Sequence, residues 1–500
     1  MQFAWLSALV LALLPLGSFA DDDEDARRYA DGSTPLHWAV YEGDVAQVRR
    51  LIEAGADVSA ENRYGASAMS LAAEVADTEV LRALLDAGAD ADSPNPEGQT
   101  ALMAVARTGN VAAAGLLLGH GAAVDARENW GGQTALMWAS ARRHPGMIKL
   151  LIEHGAEVDA RSIHRDYQRH VTAEGRPKNL DSGGLTPLLY AARENCTGCV
   201  AALLSNGADI DLPDPDGVSP LLIAIMNANW DLASQLIDAG ADVNQWDIYG
   251  EAPLFTAVRL HSRIDGGRAS IDPVNVTNGT QIVRALLEHG ANPNMQLFFR
   301  PANVRGSTNT RGSTPLIRAA GDGSRELVEL LLEYGADPTL YMADRQTPIH
   351  AVLAGRTAEA EALDLIKLLH AAGTDINVIA LVNHREEVRG GTALHFAVRR
   401  RFREVIRTLA AWGIDMDARD QDGLTALDYT QSRGFMPFLA NQTPIFEEEA
   451  ALLRELGATL EMQTEPVWPV LGPPQGVWPD IFPIGEPRVH APIYTHSTGN

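Results

Sequence analysis

A glycine-centred triplet recurs along this chain. Gly55-Ala56-Asp57 returns as Gly88-Ala89-Asp90, Gly121-Ala122, Gly155-Ala156, Gly207-Ala208-Asp209 and Gly240-Ala241-Asp242. Looser copies follow at Gly290-Ala291-Asn292, Gly335-Ala336-Asp337, Gly373-Thr374-Asp375, Gly413-Ile414-Asp415 and Gly457-Ala458. Where nothing intervenes the spacing is 33 residues. A unit that short cannot close a hydrophobic core. Its apolar face is buried only by the next copy, so the expected product is a stack that presents a long binding surface.

The residues between the triplets carry the local chemistry of such a unit. Thr34-Pro35-Leu36-His37 is echoed by Thr186-Pro187-Leu188, Thr314-Pro315-Leu316 and Thr347-Pro348-Ile349-His350. The threonine hydroxyl can cap a helix, and proline suits the first helical position, where an amide hydrogen has no partner. Leu36, Ala39 and Val40 make one short apolar stripe; Val45, Val48, Leu51 and Ile52 make a second at helical spacing. Gly55 then ends the second helix, where a left-handed backbone costs glycine little. Alanine replaces proline at Ala101, Ala135, Ala393 and Ala426, and copy two reads Ser67-Ala68-Met69. Both departures keep a helix.

The period and the Thr-Pro-Leu-His-x-Ala element resemble the ankyrin repeat. The resemblance covers residues 31–460 in about eleven copies. It implies an all-α repeat solenoid of helix-turn-helix-hairpin units, and protein binding through inner helices and loop tips. His37, His350 and His395 fall at the repeat's histidine position, where the family role is local hydrogen bonding.

Length alone would suggest about three globular domains, but the repeat replaces that expectation with one elongated array and a tail. The formal charge of −25 opposes nucleic-acid binding, which needs a basic footprint. Residues 4–16 form an apolar run too short to span a membrane, and Ser18-Phe19-Ala20 offers small residues where a signal peptidase reads. Cleavage after Ala20 and export are therefore expected, to a periplasm in a bacterium or otherwise outside the cell, although Met1-Gln2-Phe3 lacks a basic residue. An acidic segment, 21–30, follows. No later apolar run is long enough for a transmembrane helix. The only cysteines, Cys196 and Cys199, fall where copy five turns from its first helix to its second. In an oxidising compartment they could form a short disulfide; a thioredoxin-like role would need a βαβ setting. Asn-x-Ser/Thr triplets at Asn195, Asn275, Asn278 and Asn441 read as chance matches.

Repeat units accept additions only at loops. Insertions at 162–183, 297–311 and 379–389 lengthen the finger before a first helix, whereas 261–279 splits the two helices of copy seven. The segment 297–311 carries Phe298, Phe299, Arg300, Arg305 and Arg311 and no acid, and Arg399, Arg400, Arg401 and Arg403 crowd a helix end in copy ten. These residues suggest a basic and aromatic strip for an acidic partner, against the plainer reading of solvated loop arginines. Tyr41, Glu42, Arg142 and Arg193, near the ends of first helices, are expected to be exposed contact residues. Trp38, Trp138, Tyr190, Phe396 and Tyr429 occupy one variable position, where aromatics either anchor a partner or fill space between neighbouring helices.

No catalytic motif is present: there is no Gly-x-Ser-x-Gly, no phosphate-cradling glycine loop before a helix and no His-Glu-x-x-His. His164, Asp166 and His170 are a weak match to a metal set. No cofactor, metal or small-molecule substrate is expected. Beyond 460 the repeat gives way to Pro466, Pro469, Pro473, Pro474, Pro479, Pro483, Pro487 and Pro492 among Trp468, Trp478, Ile481 and Phe482. That density excludes helix and central strand. The tail either shields the end of the stack or serves as a recruitment peptide. The sequence reads as a non-catalytic protein-binding scaffold; an enzyme or accessory redox protein using the inserted loops or the cysteine pair is the alternative.

Overall fold

The computed structural model describes residue 29 and residues 31–164, 183–247, 250–261, 276–297, 312–381, 390–430 and 446–460. Helices and turns account for them, and the only strand-like pairings among the described residues are isolated bridges. The chain divides into two compact units, 1–130 and 131–500.

Unit one holds three helix pairs: α1 (Pro35–Glu42) with α2 (Val45–Glu53), α3 (Ala68–Val75) with α4 (Thr78–Asp86), and α5 (Ala101–Thr108) with α6 (Val111–Gly119). Unit two continues the pattern with α7 (Ala135–Ala141), α8 (Pro145–Glu153), α9 (Pro187–Arg193), α10 (Thr197–Leu204), α11 (Pro220–Met226) and α12 (Trp230–Asp238). Then come α13 (Pro253–Leu260), α14 (Gly279–Glu288), α15 (Pro315–Asp322), α16 (Arg325–Glu333), α17 (Pro348–Ala354) and α18 (Glu359–Ala371). The last are α19 (Ala393–Arg400), α20 (Arg403–Ala411) and α21 (Glu447–Glu455). Within each unit the first helices of the pairs pack on one another in an inner row, and second helices such as α2 and α4, or α12 and α14, pack in an outer row. This is an all-α repeat architecture.

The caps explain why such short helices hold. In α1, Thr34 Oγ1 accepts the His37 N–H while His37 Nδ1 accepts the Thr34 N–H at 3.0 Å. His37 Nε2 lies 3.0 Å from the Ala66 carbonyl, which can only accept, so the ring is the Nε2–H tautomer and ties its repeat to the next finger. His350 and His395 repeat the arrangement onto the Gly391 and Leu424 carbonyls, at 3.1 and 3.2 Å. Where copy two lacks the histidine, Ser67 and Ser70 cap each other instead.

The inserted segments leave the stack at two kinds of place. Three are closed at the base by finger backbone pairs: Ser162 N–H to Leu185 O (3.0 Å), Gly312 N–H to Leu297 O (2.8 Å), and the reciprocal bonds of Ala380 and Gly391. The fourth leaves between α13 and α14, and Asp231 on α12 accepts the N–H groups of Val276 and Thr277 at 3.0 and 2.8 Å where the chain returns. After Thr425 the described part of copy eleven is a short 3-10 turn, Asp428–Thr430. No helix among the described residues is long and apolar enough to cross a membrane.

Candidate binding surfaces

The inner helices are pinned by their buried first turns, so the side chains near their C-terminal ends form the face left to solvent. Tyr41 and Glu42 are exposed there, as is Arg142 just after α7. Arg193 departs from expectation. It is half-buried, its guanidinium lies 5.0 Å from the Tyr190 ring centre, and its Nε donates to Glu194 at 3.1 Å. Tyr190 in turn is buried and accepts a hydrogen bond from Gln133 Nε2 at 2.7 Å.

The arginine cluster of copy ten is also committed internally. Arg400 donates to the carbonyls of Leu353 (3.2 Å), Gly355 and Thr357 (2.7 Å). Copy nine has a longer turn between α17 and α18, which leaves these carbonyls without helical partners; the next inner helix supplies the missing donor. Arg401 and Arg403 donate through Nε to Glu449 Oε1, at 3.3 and 2.8 Å, and Arg403 also pairs with Glu448. The Glu449 side chain is fully buried. Burial works against its charge, but hydrogen bonds led by Arg403 hold its carboxyl below the usual range. Arg399 is half-buried over the Phe396 ring, at 5.7 Å. A free basic strip in copy ten is thus corrected to a set of internal ties. Phe298, Phe299, Arg300 and Arg305 lie outside the described residues.

The variable aromatic position resolves into two groups. Tyr190, Phe396 and Tyr429 are buried between helices, and the Tyr429 hydroxyl donates to Asp420 at 2.6 Å. Trp38 and Trp138 are only half-buried, and each keeps a shielded indole N–H with no acceptor among the described residues. Sequence reading missed the finger tips: Tyr64 and Trp130 are 70% and 75% exposed, the largest open aromatics described. Their shared place just before a finger glycine, Gly65 and Gly131, was the available signal.

Cys196 caps α10, with its Sγ 3.2 Å from the Cys199 N–H, and the two sulfurs are joined with Cα atoms 5.2 Å apart. Both residues are buried. No group of three or more His, Cys, Asp or Glu side chains among the described residues could hold a metal ion; of the weak metal set only His164 lies among them.

Known proteins match the repeat pattern. The family profile for ankyrin repeats in three copies matches residues 4–95, 69–162, 188–266 and 274–342, and the single ankyrin repeat matches 389–421. Among curated proteins, the nuclear factor NF-kappa-B p105 subunit of Gallus gallus is 30% identical over 190 residues, 35% of this chain and 17% of that protein. The mitochondrial disaggregase of Bos taurus is 28% identical over 168 residues, covering 33% and 24%. This chain therefore spans a quarter or less of either relative. Among solved structures, the ankyrin repeat domain of Bcl-3, described as a unique member of the IkappaB protein family, aligns at 28% identity and a TM-score of 0.38, over 45% of this chain and 94% of that one.

Proposed function

Because the chain belongs to the ankyrin repeat family, whose repeats are generally protein–protein interaction modules, we propose that it is a non-catalytic scaffold that binds protein partners outside the cytoplasm. The inner-helix face and the finger tips do the binding. One observation carries this reading. Of the nine large apolar side chains exposed among the described residues, Tyr41, Val75 and Met226 lie on inner helices and Tyr64, Trp130 and Ile163 on fingers. Buried cores do not need those residues, and exposed aromatics are favoured anchors. A stack held by caps and finger bonds is preorganised, so docking orders few side chains.

Export rests on the apolar run of residues 4–16 and the small residues before Asp21. The joined cysteines support it, since such pairs persist in oxidising compartments. The redox alternative is disfavoured by burial of both sulfurs, which bars an incoming thiolate. The test is recovery of the tagged full chain from the exported fraction after mild crosslinking, followed by mass spectrometry and by alkylation with and without reductant. A stoichiometric protein partner and thiols that react only after reduction are expected. Turnover of a substrate, or free thiols in exported protein, would overturn the respective parts.

A further inference from the structure

Resting on the protein-binding reading, the inference concerns one surface of unit one. Helix register places Trp38, Leu71 and Ala104 in one row across α1, α3 and α5, since each is 33 residues from the next. Tyr41, Glu74 and Arg107 form the row beside it, and the ion pair between Glu74 and Arg107 fixes that alignment. Glu42, Val75 and Thr108 form the third. Neighbouring helices pack about 8–10 Å apart, so Tyr41 and Val75 are neighbours on one face.

That face is unusually apolar for solvent contact. Tyr41 is 55% and Val75 64% exposed, Leu71 is half-buried, and Tyr29 is 52% exposed at the edge. The rings form a cluster: Tyr29 lies 5.2 Å from Trp38, and Trp38 5.9 Å from Tyr41 edge to face. The shielded Trp38 indole N–H has no acceptor among the described residues. An unmet buried donor costs about 1–3 kcal/mol. A carbonyl of a docked chain can meet it once the exposed Tyr41 or Tyr29 ring swings aside.

Charge selects the occupant. Residues 31–130 carry fifteen acids against six arginines and no lysine, a balance of −9. Glu42 stands exposed on the face itself, with Asp44 beside it. We infer that the inner-helix face of the first two repeats docks a basic polypeptide segment that carries an aliphatic or aromatic side chain. The apolar group covers Tyr41 and Val75, and the lysines or arginines of the segment face Glu42 and Asp44. Attraction across such a face speeds encounter and excludes acidic competitors.

The experiment is titration of the full chain with three labelled peptides of equal length: alternating Lys and Leu, alternating Glu and Leu, and alternating Lys and Ser. The Lys/Leu peptide is expected to bind at least tenfold more tightly than either of the others. Tyr41→Ser with Val75→Ser, both at exposed positions, should weaken it at least tenfold, and Glu42→Gln about threefold, with the Glu42 effect shrinking as salt rises. Equal binding of the Glu/Leu or Lys/Ser peptide would overturn the inference. So would a Tyr41→Ser/Val75→Ser chain that binds as the unsubstituted one does. If binding instead fails on Tyr64→Ser with Trp130→Ser, this placement falls while the scaffold reading stands. If a crosslinked protein partner is found that none of these variants disturbs, the placement falls in the same way.

Discussion

Two stretches of unit two solve one problem with different atoms. In the first, Asp159 accepts the Asp209 N–H at 3.1 Å and Asp211 accepts the Asp242 N–H at 2.8 Å. In the second, Asn244 accepts the Asn292 N–H and Asn294 the Asp337 N–H, each at 2.7 Å. All four side chains tie a finger to the next one. The amides add a second bond, from Asn244 Nδ2 to Gly290 O at 3.0 Å and from Asn294 Nδ2 to Gly335 O at 3.1 Å. A carboxylate has no hydrogen to donate. Burial raises the carboxyl of Asp159, offset in part by the Asp209 N–H and reinforced by the charges of Asp209 and Glu157. Asp211 is raised in the same way, with Asp242 and Asp209 beside it. Aspartate and asparagine look interchangeable in the repeat; in the ladder, one strains against its neighbours and the other serves twice.

Acid should separate the stretches most. A carboxyl whose folded value is raised weakens the fold at neutral pH and returns that stability as pH falls through the folded value. The amide stretch has no such group on its rungs. Beyond it, burial pushes the His350 imidazole down to about 4, from the ordinary 6.5. The unfolded chain takes up that proton first, so stability is full above about 6.5 and drains away toward about 4. The loss is about 3 kcal/mol. His395, lowered mainly by burial, adds to it. Amide hydrogen exchange, corrected for intrinsic rate and read repeat by repeat, should show copies nine and ten loosening between pH 7 and 5 while the Asp209 and Asp242 amides hold or gain. Uniform loosening would break the comparison.

Exchanging the rungs tests the same point without changing solvent. Asn294→Asp removes one donor and adds a charge, and should cost about 1–2 kcal/mol, read as faster exchange at the Asp337 amide. The converse change, Asp211→Asn, should gain about 1 kcal/mol by donating to the Gly240 carbonyl, and should flatten the acid response at Asp242. A chain in which Asp211→Asn is neutral at every pH would mean that water already meets the carboxylate's needs.

Much of this was legible in the sequence because it is local. A threonine before proline caps the helix that begins there, and a glycine after the last apolar residue ends one. Insertions fall where a period of 33 is interrupted. The ladder itself was read as turn chemistry, which is right for each Asp within its own finger. It says nothing of the neighbour that each side chain reaches more than 30 residues away. Arg400 failed for the same reason: four nearby arginines look like a solvated patch until the longer turn of copy nine and the acidic start of α21 are brought beside them. The apolar face of α1 and α3 was half visible. Tyr41 and Glu42 stood out by type, whereas Leu71 and Val75 joined them only once the register of two helices was known.

The smallest effect isolates backbone from charge in the carboxylate stretch. Between Asp211 and Asn244, Ala228 makes the turn from α11 to α12 with φ of 56°, where Gly43, Gly109 and Gly323 make the same turn elsewhere. A left-handed alanine is strained by about 1–2 kcal/mol, offset in part because glycine leaves the unfolded chain more freedom. Ala228→Gly should therefore stabilise copy six by about 0.5 kcal/mol. Its methyl makes no hydrogen bond, so the Asp242 amide should keep its full pH dependence. If the substitution instead erased the acid response there, the weakness of the carboxylate stretch would belong to its backbone turn and not to its charges.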